Sequence, residues 1–197
     1  MTSGFSLYDN CVMLQLSDDV LSNCETFFCG NADLDDFFLN DARKYADELM
    51  GRTFCWITES KPHKIVALFT LANDSIKTTY LDTSTKNRLN RPIVNHKRGR
   101  SYPAALIGRL GINSEFQCKA IGSQLIDFIK DWFRAEDNKT GCRFLVVDAY
   151  NNDRTIKFYE RNGFKFLHKT EAEEKEYYHI IDDNITTRLM YYDLKTK

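Results

Sequence analysis

Hydrophobic positions between residues 103 and 164 change their period twice, which predicts a strand, a helix and a second strand in succession. Ala105–Ile112 is a short, mostly apolar run, as expected of a strand buried on both faces. Apolar residues then recur at helical spacing through Ile121–Phe133. Arg143–Tyr150 returns to β-branched and aromatic residues, which favour a strand. These segments predict a β-α-β unit with parallel strands and a right-handed crossover.

The rest of the chain alternates between helix-like and strand-like periods in the same way. The predicted elements outside the unit are, in chain order, a strand at Val12–Leu16, a helix at Asn31–Met50 that Gly51 ends, a hairpin of Thr53–Glu59 with Lys64–Leu71, a helical turn at Ser84–Leu89, a helix after Asn152, and strands at Lys165–Lys169 and Ile185–Leu194. This order predicts an α/β fold with a mixed, mostly antiparallel sheet and helices on both faces. The length of 197 residues suits a single domain, 1–197.

Two charged segments interrupt this alternation of helix-like and strand-like periods. Residues 73–103, the basic segment, carry seven basic residues against two acidic ones, a charge of +5 in a chain whose total is −1. They are Lys77, Lys86, Arg88, Arg91, Lys97, Arg98 and Arg100 against Asp74 and Asp82. A loop this long is usually functional or disordered, and its charge fits either a solvated face or a surface that meets a polyanion. Residues 168–183, the acidic segment, predict a loop or a poor helix.

The overall composition narrows the class of protein. With 43% hydrophobic and 28% charged residues the chain is an ordinary globular protein, and its net charge gives no global attraction to nucleic acid or membrane. No apolar run has the length of a membrane span, and the first residues lack a signal-peptide pattern. The six cysteines lack C-x-x-C spacing and paired histidines, which argues against a metal site or a disulfide framework. We therefore expect a cytoplasmic protein with no metal and no membrane partner.

The connection between the first strand of the β-α-β unit and its helix is the best candidate for a binding site. Residues 117–123 read Gln-Cys-Lys-Ala-Ile-Gly-Ser and precede or begin the helix. The first N–H groups of a helix have no partner within it, and together with the helix dipole they favour an anion, above all a phosphate. The small residues Ala120, Gly122 and Ser123 would let a pyrophosphate approach the backbone.

This loop and a second motif resemble those of the GCN5-related N-acetyltransferases. Gln117-x-x-Ala120-x-Gly122 is similar to the family's [Arg/Gln]-x-x-Gly-x-[Gly/Ala] loop, which binds the pyrophosphate of acetyl-CoA. The run Asn152-x-x-Thr155-x-x-Phe158-Tyr159-Glu160-Arg161-x-Gly163-Phe164 resembles the family's second signature, and the two motifs stand in the family's order. The resemblance covers roughly residues 54–166, and it implies that the two parallel strands splay apart around acetyl-CoA.

The chain departs from the family pattern inside the loop. Ala120 replaces the first glycine, and Cys118 occupies a second position that is often glycine. Because alanine is comfortable only at negative φ, we expect a shifted loop and a weakened affinity for acetyl-CoA. If the site were disabled, the chain would be a non-catalytic acyl-CoA-binding or interaction module.

The resemblance also implies individual roles. The expected acetyl-CoA contacts are Leu110, Ile112, Gln117, Cys118, Lys119, Ala120, Gly122, Ser123 and Asn152. Tyr159 falls on the family's tyrosine and is expected to be the general acid that protonates the leaving thiolate. A backbone N–H of the first strand would polarise the thioester carbonyl, with Gly111 as a bulge. The general base stays open among His63, His96, Glu115 and Asp148.

A narrower resemblance bears on the acceptor. Ile107-Gly108-Arg109-Leu110-Gly111-Ile112 is similar to a strand of the subgroup that contains the tRNA-acetylating toxins of toxin–antitoxin pairs. It implies an aminoacyl-tRNA acceptor, whose phosphates would meet Arg88, Arg91, Lys97, Arg98 and Arg100, and an antitoxin partner. A small amine or a protein amino group remains the alternative acceptor, and a homodimer stays open.

Overall fold

The computed structural model describes residues 5–138, 140–181 and 184–196. The strands are β1 Cys11–Gln15, β2 Cys24–Glu25, β3 Arg52–Thr58, β4 His63–Lys77, β5 Ser101–Ile112, β6 Phe144–Tyr150, β7 Lys165–Phe166 and β8 Thr187–Asp193. The α-helices are α1 Leu7–Asn10, α2 Asp18–Asn23, α3 Ala32–Asp36, α4 Ala42–Asp47, α5 Thr83–Asn90, α6 Ile121–Arg134, α7 Asp153–Arg161 and α8 Glu171–Tyr178. Within these ranges, no helix has the length and hydropathy needed to cross a membrane.

The strands form a mixed sheet in the order β1-β3-β4-β5-β6-β8-β7, with β2 paired to β4. Strands β1 and β3, β3 and β4, β6 and β8, and β7 and β8 are antiparallel. Strands β5 and β6 are parallel and join Ala104–Leu106 to Phe144–Val146. The predicted α/β class, the mostly antiparallel sheet and the parallel pair are therefore confirmed, and the splay stays a prediction. A second short parallel pairing, β2 with β4, was not predicted.

The chain divides into two compact units, residues 1–72 with 107–132 and residues 73–106 with 133–197. In the first unit, alternate side chains of β3 pack against helices on opposite faces. Trp56 meets Phe128 of α6 with ring centroids 5.0 Å apart. Cys55 shares a buried cluster with Phe38 and Ala42. Fully burying one such large apolar side chain contributes roughly 1.5–3 kcal/mol, so both helical layers hold β3 in place.

The helix predicted at residues 31–50 is interrupted and ends early. Asn31 caps α3 as expected, since its Oδ1 accepts from Leu34 N at 3.1 Å, but a π-helical turn at Phe37–Asp41 separates α3 from α4. Leu49, with φ of +58°, rather than Gly51, takes the left-handed position after the helix. Gly51 serves close packing instead, because a Cβ there would lie 2.9 Å from the carbonyl oxygen of Leu71.

The second unit contains both charged segments, and both are more regular than predicted. Strand β4 runs on to Lys77, α5 follows, and β5 begins at Ser101, so the basic segment is mostly secondary structure. Asp82 caps α5 by accepting from the backbone N–H groups of Ser84 and Thr85 at 2.8 and 3.1 Å. Leu89 of α5 is buried in the core of this unit, so tertiary packing overrides the polar pattern.

The acidic segment folds into α8, which a buried ion pair attaches to β8. Glu174 is 2% exposed, and its Oε2 accepts from Arg188 Nε at 2.6 Å. The other oxygen of Glu174 accepts from the backbone N–H of Leu189 at 2.5 Å. Arg188 also donates to the carbonyl oxygen of His168 at 3.3 Å. The predicted loop or poor helix is therefore a docked helix; residues 182 and 183 of that prediction lie outside the described residues.

Candidate active site

The loop after β5 is anchored by Asn113 and by the segment that precedes α3. Asn113 Nδ2 donates to the carbonyl oxygen of Ile65 at 3.0 Å, and Asn113 N donates to that of Val66 at 2.9 Å. One residue later, Ser114 N donates to the carbonyl oxygen of Phe28 at 2.8 Å. Asn113 is 7% exposed, so both bonds form in a nearly dry environment. The sequence analysis missed Asn113, although a polar residue directly after a buried strand was a usable signal.

The side chain of Gln117 links the loop to two neighbouring segments by hydrogen bonds. Its Nε2 donates to the carbonyl oxygen of Cys29 at 2.8 Å and to that of Ile112 at 3.0 Å. These two bonds tie the loop to the end of β5 and to the segment before α3. The side-chain amide therefore positions the loop, which leaves the backbone of the following residues to face a ligand.

Both departures from glycine in this loop occupy left-handed backbone conformations. Cys118 has φ of +61° and Ala120 has φ of +60°. The expectation that alanine would shift the loop out of this geometry is wrong. The backbone N–H groups of Ser123 and Gln124 both donate to the carbonyl oxygen of Ala120 at 3.1 Å, so Ala120 takes this conformation where its carbonyl begins the hydrogen-bonding of α6. For a non-glycine residue, this conformation has a steric free-energy cost of roughly 1–2 kcal/mol.

The loop presents a run of free backbone donors at the start of α6. Among the described residues, the N–H groups of residues 118–122 form no hydrogen bond. Cys118, Lys119 and Ala120 are exposed, and Gly122 and Ser123 are half-buried. Lys119 adds a positive charge at this end of the 14-residue helix. Such a set of donors with a cation fits a pyrophosphate, the anionic group of acetyl-CoA.

Ala120→Gly should stabilise the protein by about 1 kcal/mol, because glycine adopts positive φ without steric cost. For a chain of this size, that is a rise in melting temperature of about 2–4 °C. Ala46→Gly in α4 is the matched control, and it should lower the stability by about 1 kcal/mol, as glycine does inside helices. A lower melting temperature for Ala120→Gly would contradict the left-handed assignment.

Strand β5 supplies the remaining expected contacts of the first unit. Leu110 and Ile112 are half-buried on this strand, and the carbonyl oxygen of Ile112 is used by Gln117. A Cβ at Gly111 would lie 3.0 Å from the ring of Phe38 and 3.1 Å from that of Phe27. Close packing thus accounts for this glycine, which the sequence analysis interpreted as a bulge.

Helix α7 of the second unit carries Asn152 and Tyr159. Asn152 is the N-cap, since its Oδ1 accepts from Thr155 N at 2.9 Å. The Tyr159 ring lies between those of Phe158 and Phe164, at centroid distances of 5.1 and 5.3 Å. Tyr159 is 8% exposed, and its hydroxyl makes no hydrogen bond within the described part of the chain. Burial raises the pKa of Tyr159, so the phenol keeps its proton.

The four titratable residues left open as general base have different surroundings. Glu115 pairs with Lys64 at 2.7 Å, which makes it a partner in a surface ion pair. His63 lies 2.8 Å from the carbonyl oxygen of Thr58 through Nδ1. His96 and Asp148 are exposed. None of these environments singles out a base.

The five basic residues expected to meet phosphates fall into two classes. Arg88 is structural: its guanidinium donates to the carbonyl oxygens of Phe166 and Leu167 at 2.9 and 2.6 Å. The other four are exposed, namely Arg91, Lys97, Arg98 and Arg100. Arg98 uses its Nε to bond the carbonyl oxygen of Ile93 at 3.1 Å. Arg88 is therefore bound within the fold, and the other four are the better placed of the proposed phosphate contacts.

The predicted residues thus gather in two places. Residues 117–123 form one loop with the end of β5 in the first unit, while Asn152 and Tyr159 share one helix of the second. The four exposed cations lie in the basic segment of the second unit. Among the described residues, no group of three or more His, Cys, Asp or Glu is arranged to hold a metal ion.

Comparison with known proteins gives one family and one fold. A model described as the acetyltransferase (GNAT) family matches residues 33–164. Among solved structures, AtaT complexed with acetyl-methionyl-tRNAfMet is 17% identical, with a TM-score of 0.69 and coverage of 94% of this chain and 96% of that one. AtaTR bound with AcCoA is 17% identical, with a TM-score of 0.66 and coverage of 95% of both chains.

A third similar structure is a tyrosine-to-phenylalanine mutant of the AtaT toxin bound to the C-terminus of the antitoxin AtaR. It is 18% identical, with a TM-score of 0.64 and coverage of 95% of this chain and 94% of that one. No curated protein sequence matches the chain. At these identities the structural matches show a shared fold over nearly the whole chain.

Proposed function

Because the chain belongs to the acetyltransferase (GNAT) family, we propose that it transfers the acetyl group of acetyl-CoA to the amino group of an aminoacyl-tRNA. The observation that carries the acetyl-CoA part is the run of free backbone N–H groups at residues 118–122. These groups remain free despite alanine and cysteine at the glycine positions, so the substitutions leave the donors for the pyrophosphate in place. AtaTR, one of the similar structures, is bound with AcCoA.

Each proposed residue has a defined task in this transfer. The loop donates its N–H groups to the pyrophosphate, and Gln117 and Asn113 hold the loop in shape. Acetyl-CoA supplies the acetyl thioester, and a backbone N–H of β5 stabilises the oxyanion that develops on its carbonyl. The hydroxyl of Tyr159 donates its proton to the leaving thiolate, and the proton that the attacking amine loses returns through solvent to the phenolate, so the step consumes no net proton. Tyr159 is proposed for this task because its hydroxyl has no competing partner among the described residues. Burial keeps the phenol protonated but also makes it a weaker acid, so the proton transfer depends on the negative charge that develops on the sulfur.

An aminoacyl-tRNA acceptor fits both the charge and the chemistry. An α-amino group has a pKa near 7.7–8.0, so a substantial fraction is neutral at physiological pH. A lysine side chain with a pKa near 10.4 would need a strong base, and no side chain here is singled out as one. The exposed cations Arg91, Lys97, Arg98 and Arg100 offer contacts for a polyanion. Among the similar structures, AtaT is complexed with acetyl-methionyl-tRNAfMet.

The partners proposed beyond the acceptor follow from the same comparison. AtaT in a similar structure is bound to the C-terminus of its antitoxin AtaR. We propose an antitoxin partner for this chain on that basis, and a cytoplasmic location, where charged tRNA is found. Co-purification with the product of a neighbouring gene would test the partner.

The test of function is acetyl transfer from labelled acetyl-CoA to charged tRNA by the purified protein. We expect label on the aminoacyl-tRNA and none on uncharged tRNA. Replacing Arg91, Lys97, Arg98 and Arg100 with glutamine should weaken tRNA binding strongly at low salt and flatten its salt dependence, since each lost phosphate contact reduces the slope by about 0.7–0.9. Transfer to small amines that is faster than to charged tRNA, with flat salt dependence, would favour the alternative acceptor.

A further inference from the structure

Tyr80 is an exposed aromatic residue on a turn whose first and last residues, Thr78 and Leu81, are buried. Its side chain is 77% exposed, whereas Thr78 is 0% and Leu81 is 7% exposed. Leu81 N donates to the carbonyl oxygen of Thr78 at 3.4 Å, which closes the turn. Thr79 is exposed as well, so the Tyr80 ring stands in solvent on a turn that the buried residues Thr78 and Leu81 anchor at its two ends.

The same turn is bound to the most basic part of the basic segment. Thr78 N donates to the carbonyl oxygen of Arg100 at 2.8 Å, and Thr78 Oγ1 donates to that of Gly99 at 2.9 Å. Tyr80 is therefore held within two residues of a contact to the stretch Lys97–Arg100, whose cations are exposed. Asp74 and Asp82 are the acidic residues of this segment, and Asp82 is committed to capping α5.

A second aromatic group approaches this turn from α8. The hydroxyl of Tyr177 donates to the carbonyl oxygen of Lys77 at 3.4 Å. Tyr178 is 47% exposed, and its ring centroid lies 4.8 Å from that of Tyr177. Burial, Asp74 and Tyr80 together raise the pKa of Tyr177, so the two tyrosines and one carboxylate lie close together on this surface. The exposed cations of residues 97–100 are joined to the same turn through its backbone, and aromatic rings with cations are the combination that nucleic-acid-binding surfaces use for single strands.

We propose that Tyr80 is a stacking platform for an unpaired base of the acceptor RNA, while the neighbouring cations bind the phosphates on either side. This inference rests on the proposed tRNA acceptor and deepens it. In an A-form duplex, base faces are hidden by stacking, so an exposed aromatic ring can add affinity only where the strand is unpaired. The single-stranded end that carries the amino acid is the segment of such an acceptor that supplies unpaired bases next to the reacting amine.

The experiment compares two RNA hairpins that are closed by a non-nucleotide linker and differ only in a four-nucleotide 3′ overhang, measured by fluorescence anisotropy at several salt concentrations. Tyr80→Ala should weaken binding of the overhang hairpin by about 5- to 150-fold, the range for loss of one aromatic–base stack. Binding of the blunt hairpin should not change. Tyr80→Phe should retain the affinity, because the ring rather than the hydroxyl makes the stack.

The salt dependence separates stacking from charge. Tyr80→Ala should leave the slope of log affinity against log salt unchanged, because it removes no cation. Arg100→Gln is the matched control: it should weaken binding of both hairpins and reduce the slope by about one. Equal loss on both hairpins for Tyr80→Ala, or no loss on either, would overturn the proposal.

RNA binding tests the stacking role of Tyr80, and acetyl transfer to charged tRNA separately tests the proposed acceptor. If the wild-type protein binds the overhang hairpin in a Tyr80-dependent way but fails to acetylate charged tRNA, the stacking surface stands and the proposed acceptor is wrong. If it acetylates charged tRNA while Tyr80→Ala binds both hairpins like the wild type, the proposed acceptor stands and the stacking role is wrong. Melting temperatures equal to wild type would confirm that the substitution leaves the fold intact.

Discussion

Tyr159→Phe should lower kcat by roughly 10²- to 10⁴-fold, the usual contribution of a general acid, with little change in melting temperature. The small structural effect is expected because the hydroxyl makes no hydrogen bond within the described residues, while the ring that packs against Phe158 and Phe164 is kept. Acetyl-CoA affinity should stay within a few-fold of wild type. The measurement is steady-state acetyl transfer combined with calorimetric titration of acetyl-CoA.

The control for this substitution is another buried tyrosine of the same unit. Tyr191 is 6% exposed and lies on β8, and Tyr191→Phe should leave kcat unchanged. Because burial raises the pKa of Tyr159 above its ordinary value near 10, the wild-type rate should show no alkaline decline from this group up to about pH 10. Equal kcat for wild type and Tyr159→Phe would assign the proton to another donor.

Gly122→Asp should weaken acetyl-CoA binding by at least about a hundredfold, while it makes the free protein more stable. A carboxylate at this position would stand within the run of N–H groups that we propose for the pyrophosphate, and two like charges 4–5 Å apart repel by roughly 3–4 kcal/mol at an effective dielectric constant near 20. In the free protein, the same carboxylate lies in the first turn of α6, where it complements the helix dipole and removes a helical glycine, a gain of up to about 1 kcal/mol.

Weaker acetyl-CoA binding together with unchanged or higher stability distinguishes this effect from a general loss of structure. Calorimetric titration should show lost binding, and a thermal melt without ligand should show a melting temperature equal to or above wild type. Gly141→Asp is the matched control, since Gly141 is exposed and a Cβ there would have no neighbour within 4 Å; its acetyl-CoA affinity should equal that of wild type. Retained affinity in Gly122→Asp would place the anion elsewhere.

The β-α-β unit could be predicted because its period is decided locally. Ile121–Arg134 matches the predicted helix to within one residue, and β6 matches to within one as well. The basic segment could not, because α5 depends on burying Leu89 in a core that joins this segment to distant strands, with Phe144 and Leu189 among its members. In a polar stretch with five net positive charges, the segment's own buried apolar residues are too widely spaced to give a clear period.

In the candidate site, too, features decided by neighbouring residues could be predicted, whereas features decided by distant residues could not. The position of the loop followed from a strand, a helix start and small residues, whereas the left-handed conformation of Ala120 did not. Alanine's own preference for negative φ was the only signal available, and the folded loop overrides it at the point where the carbonyl oxygen of Ala120 accepts two hydrogen bonds from α6. Likewise, Arg88 and Arg91 look alike in sequence, but the carbonyl oxygens that bind Arg88 lie 78 and 79 residues downstream.

The division of the chain into two interleaved units has a consequence for its synthesis. The first 72 residues share their compact unit with residues 107–132, so their partners leave the ribosome only after about 60 further residues are made. At 5–20 residues per second, that delay lasts roughly 3–12 s. During it, strands β1 and β3 are already translated, but α6, whose Phe128 packs on Trp56, does not yet exist. The nascent chain therefore exposes a hydrophobic strand surface throughout that interval, and a chaperone that captures such surfaces would find it there.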